Sequence, residues 1–201
     1  MINPSSNLPF SSRHAQTCVA IVLAVLLVAT RGNHVASIHA LPSGSWAVFF
    51  LAGALLRPRW AFLALFALAV SVDFASLTLE RIAETCMTPG YWMLLPAYAL
   101  LWGGGRLYAR LHVERPGTVM RLMAVLAATS VLAYQFSGGG HYLLSGTQPD
   151  PSVAEYVARV LHYMPQRLFN LSVYVLGAAV LYAAWRLAGR AAGRVAASRG
   201  A

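Results

Sequence analysis

The sequence predicts an all-α membrane protein with six transmembrane helices and both termini cytoplasmic. Three observations predict it. The chain has 201 residues, 58% of them hydrophobic and 10% charged, with a mean hydropathy of +0.60. A soluble domain usually carries about 25% charged residues, so a bilayer is the natural solvent. The apolar residues also fall into runs parted by short polar connections, and a crossing takes about 20 such residues. Finally, all 15 basic residues are arginines, placed between the runs and not on one soluble face. That spacing argues for membrane topology and against nucleic-acid binding.

The first span covers 15–30. Arg13 ahead of it imitates a signal peptide, but Ala29-Thr30-Arg31 makes a poor cleavage site, so the segment reads as a retained helix. A connection holding His34 and His39 follows. The second span covers 45–57. Its apolar stretch, Ser45 to Leu56, is short, and twelve helical residues reach only about 18 Å. It is expected to thin the bilayer, to snorkel Arg57, or to belong partly to an inward-folding loop. The third span covers 60–79. The fourth covers 91–104 and fades into Gly103-Gly104-Gly105.

The fifth span covers 118–136, after which Ser137-Gly138-Gly139-Gly140 opens the longest connection. Within that connection Asp150-Pro151 has the form of a helix start. Val153, Tyr156, Val157, Val160, Leu161 and Met164 recur at helical spacing. They predict an amphipathic helix over 151–163, lying at the interface or acting as a lid. The sixth span covers 167–187 and leads into an arginine-bearing tail. The whole chain, 1–201, reads as one integral membrane domain.

Orientation follows from the arginines. Eleven fall on one side of this layout, from Arg13 through Arg57, Arg59 and Arg106 to Arg199. Four, Arg31, Arg81, Arg159 and Arg167, fall on the other. The richer side is expected to be cytoplasmic. Cys18 and Cys86 then sit on opposite sides. A disulfide needs Cα atoms within about 7 Å and the bilayer core is about 30 Å thick, so both thiols are expected to be free.

His34, His39, Cys86, Tyr91, Trp92, His141 and Tyr142 lie in or beside the outer connections, with Met87 next to Cys86. A site opening outward is expected there. Asp73 is the one acid inside an apolar run. A carboxylate at such a place faces a cavity or a partner. It accepts hydrogen bonds from a polar ligand or a pocket residue such as His34, or it makes a polar contact between helices. Cys86 reads as a small hydrophobe or as a ligand to a soft metal. One cysteine cannot build a zinc site, but it can supply one axial ligand to a metal held in a macrocycle, a haem or a corrinoid. The histidines sit in connections and not on facing helix interiors, which disfavours haem.

In size, span number and outward polar connections, with His34, Asp73, Cys86 and Tyr91 at these positions, the chain resembles the BtuM-type cobalamin transporters. These are solitary S-components of the energy-coupling-factor vitamin transporter family. The resemblance implies uptake of cobalamin or a related corrinoid across the bacterial inner membrane. It implies that Cys86 binds cobalt, with His34, Asp73 and Tyr91 lining or supporting the pocket. Met87, His141 and Tyr142 are further candidates for substrate contact. Cobalamin enters as substrate, and no other cofactor is expected. Ala20 and Ala24 fit the small-residue pattern with which S-components meet the membrane subunit of an energising module, although such pairs are common in packed helices. The expected partners are the bilayer, the corrinoid, and an ATPase module or none. The chain has no Walker sequence of its own. Two alternatives remain: a corrinoid-processing catalyst in which Cys86 promotes loss of cyanide, and an S-component for another vitamin with Cys86 incidental.

Overall fold

The computed structural model describes residues 12–31, 42–80, 88–112, 117–146, 148 and 150–199. All regular structure among them is helical: α1 (Arg13–Thr30), α2 (Ser45–Leu55), α3 (Trp60–Glu80), a 3-10 helix (Pro89–Met93), α4 (Leu94–Leu111), α5 (Thr118–Leu144) and α6 (Val153–Arg199). Three stretches are long and apolar enough to cross a membrane: α1, α5 and Val153–Ala188 of α6. Residues such as Val22, Leu63, Met120 and Leu181 are more than half exposed, which suits contact with lipid and not with water.

Consecutive helices run in opposite directions. At one end, Gln16 Nε2 donates to the Leu55 carbonyl and the Arg57 amide donates to Gln16 Oε1. Arg106 Nη2 donates to the Arg57 carbonyl, and Arg121 Nη1 to the Leu111 carbonyl. These bonds gather the start of α1, the end of α2, the end of α4 and the start of α5. We call this the basic end. At the other end the Gly44 amide donates to Thr30 Oγ1, joining the end of α1 to the start of α2.

α2 is the centre of the bundle. It packs with α1, α3, α4 and α6, and every residue from Ser45 to Ala54 is buried. A helix that is apolar all round belongs in an interior. This resolves the shortness of the second span: a helix surrounded by protein need not match the bilayer thickness, so neither thinning nor snorkelling is required. It stops at Leu55, the cap residue Leu56 being extended, and Pro58 disfavours a return to helical geometry at Arg57. The approach of α4 depends on two glycines. A Cβ on Gly53 would run into the Trp102 carbonyl, and one on Gly105 into the Phe50 carbonyl. Phe49 stacks on Tyr98 with ring centroids 4.2 Å apart, and meets Phe62 of α3 edge-on.

Three boundaries differ from those expected. α4 continues through Gly103–Gly105 to Leu111, because Gly104 and Gly105 act as packing notches against Thr129 and Phe50 and not as breakers. α5 continues through Gly138–Gly140 to Leu144. There Gly140 lies against the Met93 side chain and Gly139 against Tyr156. α6 joins the expected outer helix and sixth span into one helix of 47 residues, about 70 Å long. Pro165 lies inside it. An internal proline removes one backbone hydrogen bond. The helix persists because its inward stripe, Tyr156, Val160, Met164, Leu168, Leu171 and Val175, continues across the proline at three- and four-residue steps.

Candidate functional site at the Arg31 end

The end of α1 delivers a guanidinium into the bundle. Arg31 is only 7% exposed. A buried charge needs a partner and hydrogen bonds, and three helices supply them. Nε donates to Asp73 Oδ1 and Nη2 to Asp73 Oδ2, both at 2.7 Å. Nη1 donates to Ser45 Oγ at 3.1 Å and to the Tyr98 hydroxyl at 2.9 Å. Tyr91, in the 3-10 helix, completes the cluster by donating its hydroxyl to Asp73 Oδ2 at 2.7 Å. Burial opposes the Arg31 charge, but Tyr98 and Asp73 outweigh it and hold the group above the ordinary arginine range.

Local sequence explains each placement. Asp73 lies two thirds of the way along α3, and Pro89 at the start of the 3-10 helix turns Tyr91 back towards it. Ser45 opens α2, where its short side chain reaches Arg31 without filling space needed by Tyr98. The cluster thus ties together the end of α1, the start of α2, α3, the 3-10 helix and α4. Its deep side, Arg31, Ser45 and Tyr98, is closed. The Asp73 side chain is 25% exposed and forms the open edge, beside half-buried Tyr91 and exposed Trp92. That edge offers carboxylate and phenol oxygen to a polar group arriving at this end.

The structure brings together two of the residues expected to form a site, Asp73 and Tyr91. It places His141 on the exposed side of α5, one turn from the end of that helix. Tyr142 is buried. Its hydroxyl accepts from the Ser152 amide at 2.9 Å and bonds the Ser152 carbonyl and Glu155 Oε2, so it anchors the start of α6. Arg159 stacks over the Tyr142 ring. Ala20 and Ala24 are half-buried and pack against the chain's own core. Cys18 is an exposed free thiol. His34, His39, Cys86 and Met87 lie outside the described residues. Among the described residues no three metal-ligating side chains cluster.

Arg31 itself is the residue missing from the expected set. The signal was available, because an acid inside an apolar helix calls for a cation and Arg31 directly follows the first apolar run. No protein-family model matches the chain, and no curated protein matches it.

Proposed function

We propose that the protein takes up cobalamin or a related corrinoid, as a six-span S-component-type carrier of the bacterial inner membrane with both termini cytoplasmic. The single observation that supports this most is the 2.7 Å hydrogen bond between Asp73 and Tyr91. The two residues were singled out by resemblance and lie 18 positions apart. They meet at one end of the bundle, on either side of the connection that holds Cys86. In this reading the corrinoid lies over that end. Asp73 and Tyr91 accept from amide groups at its edge, with His34, Met87 and His141 contributing further contacts. Cys86 supplies a sulfur ligand to cobalt in place of a weak axial ligand such as water or cyanide, and gives up its proton on binding. Energy for uptake, where ATP provides it, comes from a separate module.

The test is an absorption spectrum of wild-type protein and Cys86→Ala after incubation with cobalamin and removal of free ligand. Retained corrinoid with shifted bands in wild type, lost or unshifted in the variant, is the expected result. Retention by neither protein overturns the corrinoid reading. Identical spectra from both leave the ligand in place and remove Cys86 from the cobalt.

A further inference from the structure

α1 and α6 both lean on α2, and between them an apolar groove of about 610 Å³ opens to the side of the bundle. It runs from Leu26 to Cys18 along α1 and from Val173 to Trp185 along α6, floored by Phe50 and Leu51 of α2. Its foot lies at the basic end, and its other end reaches Leu26 and Tyr174, where the Tyr174 hydroxyl donates to the Pro42 carbonyl. At its foot the lining turns from aliphatic to amphipathic, with Tyr108, His112, Tyr182 and Trp185. Such side chains favour the level of lipid headgroups.

Charge and lining decide the occupant. Arg13, Arg110 and Arg121 are exposed at the basic end. Arg186, one residue past Trp185, donates to the Tyr182 hydroxyl on the groove wall at 3.1 Å. Arg106 lies within electrostatic reach of both Arg59 and Arg110. Among the residues whose side chains are described, every carboxylate (Asp73, Asp150 and Glu155) belongs to the opposite half of the bundle. The basic end therefore presents concentrated positive charge to whatever fills the groove. The lining is almost wholly hydrocarbon along its length and gathers its amphipathic rings mainly at the foot, the profile that an acyl chain meets when its headgroup sits at the level of Tyr182 and Trp185.

We propose that this groove binds one acyl chain of an anionic phospholipid, with its headgroup held at the arginine-rich end. The site is separate from the Arg31 cluster and does not depend on the corrinoid reading. It provides a lateral contact through which membrane composition acts on α1 and α6.

Gly177 permits a clean test. It lines the groove, and a Cβ added there meets nothing within 4 Å. Gly177→Phe is therefore expected to place a ring in the groove from a Cβ that itself meets nothing, with better helix propensity than glycine. Gly103, equally open on exposed α4 surface outside the groove, is the control. The full chain is placed in vesicles of equal phosphatidylglycerol and phosphatidylcholine, released in mild detergent and weighed by native mass spectrometry. Wild type and Gly103→Phe should each retain one phosphatidylglycerol, preferred about fivefold over phosphatidylcholine, the factor expected from one arginine near the headgroup. Gly177→Phe should lose it. Arg186→Gln, which leaves the groove open, should keep a lipid but lose most of the preference. Equal retention of the two lipids by wild type overturns the proposal, as does phosphatidylglycerol retention unchanged in Gly177→Phe. A wild-type dimer, or a co-purifying membrane protein, that Gly177→Phe releases would assign the groove to a protein and overturn it as well.

Discussion

Arg31 and Asp73, 42 residues apart in sequence, form a bidentate ion pair with both N···O distances at 2.7 Å. The two parallel bonds fix the plane of the guanidinium as well as its position. Arg31 can therefore direct Nη1 to Ser45 and Tyr98 while its other edge stays on Asp73. One side chain at the end of α1 in this way sets the relative placement of α2, α3 and α4 at the candidate site.

Removing one member of this pair should be far more damaging than removing both. Arg31→Gln leaves Asp73 with an uncompensated charge, and Asp73→Asn leaves Arg31 buried and unpaired. Each is expected to destabilise by about 3–5 kcal/mol. The double variant should recover part of that loss. The Arg159–Glu155 pair is the contrast: its side chains are 37% and 41% exposed, and Glu155→Gln should change stability by less than about 1 kcal/mol. Thermal unfolding of the four variants in one detergent measures both. Strict additivity at Arg31 and Asp73 would show that their bond carries no coupling energy.

Tyr91→Phe separates the phenol from its ring. The variant keeps the contact with Trp92 but removes the donor to Asp73, a hydrogen bond to a charged group, for a loss of about 1.5–3 kcal/mol. If the open edge of the cluster meets substrate, retention of cobalamin should fall while the Cys86-dependent band shift persists in whatever is retained. A full loss of the shift with normal retention would instead place Tyr91 at the cobalt.

Gly53 and Gly105 should tolerate no side chain. Each faces a backbone carbonyl of the opposing helix, and backbone cannot rotate away as a side chain can. Gly53→Ala and Gly105→Ala must separate α2 from α4, and overpacking of this kind costs about 1–3 kcal/mol or more. Gly103→Ala, two residues from Gly105 and with nothing within 4 Å, should gain up to about 1 kcal/mol from helix propensity. The ordering of the three melting temperatures is the measurement.

The six helical stretches are legible in the sequence because a bilayer demands long apolar runs, and composition reports that demand directly. Where each helix ends is less legible. Gly103–Gly105 and Gly138–Gly140 read as breaks, since glycine weakens an isolated helix. In the packed bundle the same residues are kept for the closeness they allow, and that depends on the partner helix, which no local pattern reveals. The division between the outer helix at 151–163 and the sixth span at 167–187 fails in the same way, because the inward stripe of α6 continues across Pro165 and overrides the lost hydrogen bond. At the candidate site, Asp73 stands out as an acid in apolar surroundings. Arg31 does not, because an arginine at the end of a span is ordinary by composition and becomes distinctive only once α3 is folded beside it.

The last prediction joins packing to the site. Gly90 lies in the 3-10 helix one residue before Tyr91, and a Cβ there would come within 2.7 Å of the Gly140 carbonyl oxygen. Both are backbone positions on closely packed elements, so Gly90→Ala must push the 3-10 helix away from α5. Tyr91 is carried with it, and its hydroxyl has little slack at 2.7 Å from Asp73. A shift of about 0.5–1 Å takes that bond beyond good geometry. Gly90→Ala should therefore reproduce the Tyr91→Phe defect in cobalamin retention although the phenol is intact. Combining the two substitutions should add little further loss of retention, because both act through one bond. Retention measured for the two single variants and the double variant tests this. Wild-type retention in Gly90→Ala would show that the 3-10 helix moves without carrying Tyr91, and additive losses would show that Gly90 acts by another route.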